Sequence, residues 1–460
     1  MDRDAHELAR ALVLSLVPVP VPASTSVLGR ARTSPRGAAR RVAVIGGGWA
    51  GLAAAVDATR LGHAVTLFEM APQLGGRSRA IGAAGLDNGQ HILIGAYTAT
   101  LALMRTVGVD LAAAFMRTPL RISYPDGAGL KLGRGSAIPA LTRAVLAQRG
   151  WPWRARAGLL ATAASWSLRG FRCDAARTVA GLTAHLPHIV LREFIEPLCV
   201  AALNTPADEA SAAVFLRVLK DALFSGPGSA DLLLPRTHLS ALLPDPARDW
   251  LGRAGASINI SRRVQDLSRA GTGWQVDGED FDAVILATSP HEATRLTQAV
   301  NPAWSASAAA LRFEPIVTVY LRDAAVRLPE PMLALHSDAN RPAQFVFDRG
   351  QLGGPPGLLA FVISGAADWV DRGTQTTSEA TLAQAREVLA ALGHASPPRL
   401  EQVQVVVEKR ATFRCTPQLI RPAMTIAPGL TAAGDYIAGP YPATLEGAVR
   451  SGLRAASAVA

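Results

Sequence analysis

Apolar positions along this chain follow two periods. Residues 42–45 (Val-Ala-Val-Ile) are a short continuous apolar run between Arg40-Arg41 and Gly46-Gly47-Gly48, the pattern of a strand buried on both faces. A helical run starts at Gly51, and 64–68 (Ala-Val-Thr-Leu-Phe) repeats the strand pattern before Glu69. Helical spacing recurs over 98–107, 138–147, 154–168, 178–184 and 189–203, which makes 111–225 mostly helical. Beyond Asp231 the period shortens. Runs at 257–260, 264–270, 274–277, 283–287, 313–321, 344–347, 358–364 and 401–408 predict strands, with a helix at 378–392 between the last two. An apolar run at 430–433 ends in Gly434-Asp435, and a last helix starts at Glu446. Strands alternating with helices predict an α/β fold around a parallel sheet. The spacing divides the chain into two interleaved domains. One comprises 40–110, 231–300 and 412–460; the other comprises 111–230 and 301–411 and is inserted into the first. Residues 1–39 hold an apolar stretch at 9–23, but acids precede it and Pro18, Pro20 and Pro22 interrupt it. Residues 1–39 therefore read as a disordered or misannotated leader, not as a signal peptide.

Composition narrows the class. A chain of 460 residues is long enough for two or three cores, and 49% hydrophobic with 18% charged residues is apolar for an enzyme. No run has the length and purity of a transmembrane helix. Cys173, Cys199 and Cys415 are far apart and form no Cys-x-x-Cys, so neither a disulfide framework nor a metal site is expected. The net charge of +10 calls for an anionic partner. The charge is dispersed, arginine-borne and lacks a nucleic-acid module, which favours an anionic membrane surface over nucleic acid. The reading is of a cytoplasmic protein, peripheral on the inner face of the membrane.

The chemistry is carried first by the strand at 42–45 and the turn that ends it. Gly46, Gly48 and Gly51 form G-x-G-x-x-G between a strand and a helix, with Glu69 about 20 residues on at the end of the second strand. Gly46 permits the tight turn, Gly48 lets backbone approach a pyrophosphate, and Gly51 lets helix pack on strand. The helix N-terminus offers N–H donors to the phosphates, and Glu69 accepts a ribose hydroxyl. Near the other end, Ala433-Gly434-Asp435 and then Thr444-Leu445-Glu446-Gly447 repeat the strand, loop and helix-start arrangement. Such a helix start offers an anion or dipole site near Leu445. Val264, after Arg262-Arg263, is read either as a backbone partner of the adenine or as an ordinary strand residue.

With Gly75-Gly76-Arg77, these residues resemble the FAD-dependent amine oxidase and carotenoid desaturase superfamily over residues 40–460. The resemblance implies a Rossmann-type, three-layer FAD-binding domain with an inserted mixed α+β substrate domain. It also implies noncovalent FAD, with Gly75, Gly76 and Arg77 at the second pyrophosphate contact. Asp435 is implied at a ribityl or pyrophosphate group, and the amides near Leu445 at the flavin ring. Three strings, at 86–97 (Leu-Asp-Asn-Gly-Gln-His-Ile-Leu-Ile-Gly-Ala-Tyr), 197–206 and 231–235, resemble the squalene-associated branch of that superfamily. This branch implies reductive removal of the allylic hydroxyl of hydroxysqualene, a polyprenyl substrate, to give squalene. The electron donor and the oligomeric state are left open. A carotenoid or phytoene desaturase is the closest competing reading, amine oxidation a more distant one, and a catalytically silent flavoprotein scaffold a fourth.

That reaction needs a general acid for the leaving oxygen and a dry site. His91 and Asp87 lie on the segment that passes the flavin in this superfamily. His91 either donates the proton or only hydrogen-bonds its surroundings; Asp87 either orients His91 or caps the turn at Asn88-Gly89. Glu193, Glu196 and Asn204 are further polar residues without an assigned role. Residues 151–172 hold three tryptophans and four arginines and no acid. They read as an interfacial helix on anionic lipid or as a helix with its tryptophans turned inward.

Overall fold

The computed structural model describes residues 39–82, 86–148, 150–394 and 399–459; the expected leader at 1–39 lies outside them except for residue 39. Its central sheet has six strands in the order Ser257–Asn259, Ala64–Phe68, Arg41–Ile45, Ala283–Leu286, Leu430–Ala432 and Thr425–Ala427. The first five run parallel, and only the edge strand Thr425–Ala427 is antiparallel. Both faces are covered, which is why these strands read as unbroken apolar runs. Val42, Ala43 and Val44 are fully buried, as are Ala283 through Leu286.

The helices Trp49–Arg60 and Leu445–Ala458 pack together on one face of this sheet. Their approach depends on a glycine: a Cβ at Gly452 would overlap the Ala50 carbonyl oxygen. The strand Ala283–Leu286 lies between the Arg41–Ile45 and Leu430–Ala432 strands and pairs with both, and the loops after the strands from the two ends of the sequence open at the same edge.

A second sheet of five antiparallel strands runs Met332–Ala334, Phe345–Asp348, Leu358–Ile363, Phe313–Arg322 and Glu401–Phe413. One face buries Val317, Val319 and Leu321 with the helix Thr374–Ala391. The other turns Ile316, Thr318 and Phe345 toward a cavity beside the first sheet. A helical cluster, Ala137–Ala147, Trp153–Leu168, Glu196–Leu203 and Ala212–Phe224, covers the far side.

The stretch 111–225 is less helical than its spacing predicts. After the short helix Leu111–Ala114 come the strands Phe115–Thr118, Arg121–Ser123 and Gly129–Lys131. Pro119 interrupts any helix there, and Asp126 accepts the Ala128 N–H to close a hairpin turn. Gly129 seals that hairpin, with φ +106° and no room for a Cβ beside the Ile122 carbonyl. Residues Leu191–Ile195 form a π-helical turn in which the Glu196 N–H reaches the Leu191 carbonyl. Pro197, which has no N–H to donate, comes directly after. Among the described residues no helix is long and apolar enough to cross a membrane.

Candidate functional site

The strand–turn–helix 41–60 builds one wall of a cavity of about 530 Å³ at the edge where the two ends of the sequence meet. Gly46 turns the chain at φ +108°, with its N–H on the Phe68 carbonyl at 2.7 Å. A Cβ there would strike the Ala287 carbonyl. Gly51 lies so close to the Gly46 carbonyl oxygen that a Cβ would overlap it. Gly48 starts the Trp49–Arg60 helix without a side-chain cap and packs its backbone against Gly76, where a Cβ on Gly76 would come within 3.2 Å of the Gly48 Cα. The first amides of that helix are thus left for a ligand.

Glu69 borders the same cavity. One carboxylate oxygen accepts the Gly47 N–H at 2.6 Å and the other the Ala71 N–H at 2.8 Å. Each oxygen keeps a further lone pair for a hydroxyl donor. Gly75 (φ +113°) and Gly76 (φ +60°) bring their backbone against the glycine turn, Gly75 donating to the Gly47 carbonyl at 2.8 Å. Arg77 spans the site. It donates to Asp435 Oδ1 at 2.6 Å and to the Ala411 carbonyl at 2.6 Å, joining residues 358 positions apart.

From the C-terminal side, the Gly434 N–H donates to Ser451 Oγ at 3.1 Å. Thr444 caps the last helix by accepting the Gly447 N–H at 3.0 Å, so that Leu445 stands on the cavity wall. Val264 also lines the cavity, in a loop after the Ser257–Asn259 strand, where its carbonyl accepts Arg295 Nη2 at 2.5 Å. Ten of the eleven residues expected to hold the cofactor therefore line one cavity, and Gly51 stands behind its wall, between helix and strand.

The two residues expected to do the chemistry do not meet. His91 lines the cavity, with Nδ1 3.0 Å from the Gly89 carbonyl and Nε2 3.0 Å from Ser78 Oγ. A carbonyl only accepts, so Nδ1 carries the proton and Ser78 donates to Nε2. Burial pushes the imidazole pKa below its ordinary value, Arg77 adds to this, and the Gly89 bond opposes it. Asp87 points away from His91. Its Oδ1 accepts the Leu239 N–H at 2.7 Å, and Oδ2 lies 3.9 Å from Arg349 Nη2. Asp87 is 2% exposed. Burial pushes its carboxyl up to about 6 against the opposing pull of Leu239, Arg349 and His238. It neither orients His91 nor caps the Asn88-Gly89 turn.

Sequence reasoning passed over two hydroxyls and left Asn204 and Glu193 without a role. Tyr436 Oη and Thr318 Oγ1 are buried at the cavity without a protein partner, an arrangement that calls for a ligand. Thr318 sits between Ile316 and Tyr320 on one face of a strand, a position that alternation alone could have marked. Asn204 takes a left-handed conformation (φ 48°) at a helix end. It donates to Thr412 Oγ1 at 2.9 Å and accepts from the Gly365 N–H at 2.8 Å, bracing the cavity wall. Glu193 accepts from Trp151 Nε1 at 2.8 Å, which accounts for its burial.

Bare glycine turns, two helix N-termini, Arg77 and the orphaned hydroxyls fit a dinucleotide with a ring system at the Tyr436 end. Beside this cavity lies a second, of about 190 Å³, with Ile92, Tyr97, Ala201 and Phe345 among the residues bordering both. Leu141, Leu159, Trp166, Leu219 and Leu232 make it an apolar chamber.

The family described as flavin containing amine oxidoreductase matches residues 49–460. A hydroxysqualene dehydroxylase of Sinorhizobium fredii is 28% identical over 91% of this chain and 97% of its own. One from Rhodopseudomonas palustris is 29% identical over 91% of this chain and 98% of its own. Among solved structures, an oxidoreductase from Methanosarcina mazei superposes with a TM-score of 0.68 at 17% identity, over 90% of this chain and 99% of that one.

Proposed function

The chain belongs to the flavin containing amine oxidoreductase family, and from that premise we propose that it is an FAD-dependent enzyme converting hydroxysqualene to squalene. The observation that carries the reading is the apolar chamber set directly against the cofactor cavity. A long hydrocarbon needs such a chamber, and full-length similarity to proteins named hydroxysqualene dehydroxylase selects the substrate.

The reaction replaces an allylic C–O bond with C–H. A proton goes to the leaving oxygen, water departs, and the two-electron equivalent fills the vacated carbon. When bound, reduced FAD supplies the hydride. The protein's part is to bind, orient and protect. Gly46, Gly48, Gly75 and Gly76 would admit the pyrophosphate to bare backbone, with Gly51 letting the helix pack close behind them. Glu69 would take a ribose hydroxyl, and Arg77, Asp435, Val264 and Leu445 would hold the rest of the cofactor. The chamber wall of Ile92, Ala201 and Phe345 holds the hydrocarbon and keeps water from the developing cation. His91 is the proton-handling group: protonated at Nε2 it donates to Ser78 Oγ, and the Ser78 hydroxyl passes its own proton to the leaving oxygen. Asp87 acts at a distance, fixing the 86–97 segment through Leu239 and Arg349. A reductant outside this chain reloads the flavin, and the enzyme works on the cytoplasmic face of an anionic membrane.

The test is anaerobic. Holoenzyme with chemically reduced FAD is mixed with hydroxysqualene, and products are read by mass spectrometry alongside flavin absorbance. Squalene formed in step with flavin reoxidation is the expected result. Unchanged substrate with FAD retained overturns it, and dehydrogenation of phytoene by the oxidised holoenzyme would give the site to a desaturase.

A further inference from the structure

The helix Trp153–Leu168 is apolar on two opposite sides. Leu159, Ala163 and Trp166 face inward and line the apolar chamber. The opposite side carries Trp153, Ala157, Ala161 and Leu168, all exposed and spaced at three to four residues or its multiples. Trp153 is 71% exposed and Leu168 79%. An exposed apolar stripe of this kind marks a contact face, yet among the described residues nothing covers this outer side.

Charge says what does. Residues 132–173 contain seven arginines and no aspartate or glutamate. Arg134, Arg143, Arg154, Arg169 and Arg172 are exposed, and among the described residues none is paired with a carboxylate. Arg154 and Arg169 bracket the apolar stripe at its two ends, with Trp153 and Leu168 beside them. Leu146, 48% exposed at the end of the preceding helix, extends the patch. A tryptophan, an apolar stripe and acid-free arginines along about 24 Å of helix fit the headgroup boundary of an anionic bilayer. A protein partner would need acidic groups at both ends of an otherwise apolar strip.

We propose that the outer face of the Trp153–Leu168 helix docks on anionic lipid, setting the apolar chamber one helix thickness from the bilayer that stores its polyprenyl substrate. Docking itself stands on the exposed face and its charge. The passage of substrate past the helix rests on the dehydroxylase reading.

Full-length holoenzyme is floated with vesicles of phosphatidylcholine, alone or with phosphatidylglycerol. Binding to the phosphatidylglycerol vesicles, weakened by salt, is expected. Trp153→Ser and Leu168→Ser each lower the partition coefficient about ten-fold. Replacing Arg154, Arg169 and Arg172 by Gln together removes the preference for phosphatidylglycerol. Turnover of detergent-dispersed hydroxysqualene by the same variants stays at the parent level, which shows that they are folded. Failure to float, or flotation that none of the substitutions alters, overturns the proposal. So does a dimer that the serine variants dissociate, which gives the face to a second copy. Flotation gained only when residues 1–38 are removed gives it to that segment and overturns the proposal for the full chain. Flotation that responds to the substitutions, in a holoenzyme that makes no squalene, supports docking and overturns only the dehydroxylase reading.

Discussion

His91 and Asp87 sit four residues apart and are tuned in opposite ways. Burial keeps the imidazole neutral by lowering its pKa, so its proton-donating form grows as pH falls. Turnover of the reduced holoenzyme is therefore expected to rise below pH 6.5, and His91→Gln to flatten that profile and slow turnover about 10²-fold or more. A stopped-flow pH series reads both effects. The Asp87 carboxyl, pushed up to about 6 by burial, titrates against stability. Its folded value lies above the unfolded value, so the folded chain holds more protons and gains from Asp87 below about pH 4. That gain is lost as pH rises through 6. Asp87→Asn keeps an oxygen for the Leu239 N–H and removes the titration. Denaturant melts at pH 4 and pH 7 should show wild type losing about 3 kcal/mol relative to the variant.

At the scale of elements, the first strand, its glycine turn and its helix were legible because each requirement is local: an apolar run, glycines where a Cβ has no room, an acid at the next strand end. Gly51→Ala pushes a methyl into the Gly46 carbonyl and separates helix from strand. A loss of about 1–3 kcal/mol in thermal melts and of copurifying flavin is expected. The hairpin at 121–131 was missed because its signal, an Asp-Gly turn, is short and set between helical stretches. The partners of Asp87 were out of reach for another reason. Leu239 and Arg349 lie about 150 and 260 positions away, and pairings at that distance are set by topology, not by spacing. Ser78 lies only 13 positions from His91, but no helix or strand period joins them, and the orphaned Tyr436 hydroxyl shows only once the cavity is formed. The outer face of the Trp153–Leu168 helix was half legible: its arginines and tryptophans stand in the sequence, but which tryptophan faces outward depends on the chamber behind it.

The whole molecule is tied together at Glu446, fully buried near the start of the last helix. Its carboxylate accepts the Ala99 and Thr100 amides at 3.0 and 2.9 Å, the Thr100 hydroxyl at 2.7 Å and Arg450 Nε at 2.7 Å. Glu446→Ala strands two buried amides, at a cost of about 2–5 kcal/mol. Its expected signs are a lower Tm, weakened flavin retention and new protease cleavage within 430–459.

The meeting of residues 41–51 with residues 430–448 also fixes an order of events during synthesis. The glycine turn leaves the ribosome early, but its facing wall, with Asp435 and the Thr444 cap, is among the last segments to emerge. Until translation has passed both, the Ala283–Leu286 strand keeps a bare edge and the Trp49–Arg60 helix lacks the Leu445–Ala458 helix that packs on it. Flavin capture is then a late step, and a ribosome that stalls short of residue 430 leaves a chain with half a cofactor site and the open edge of an unfinished sheet.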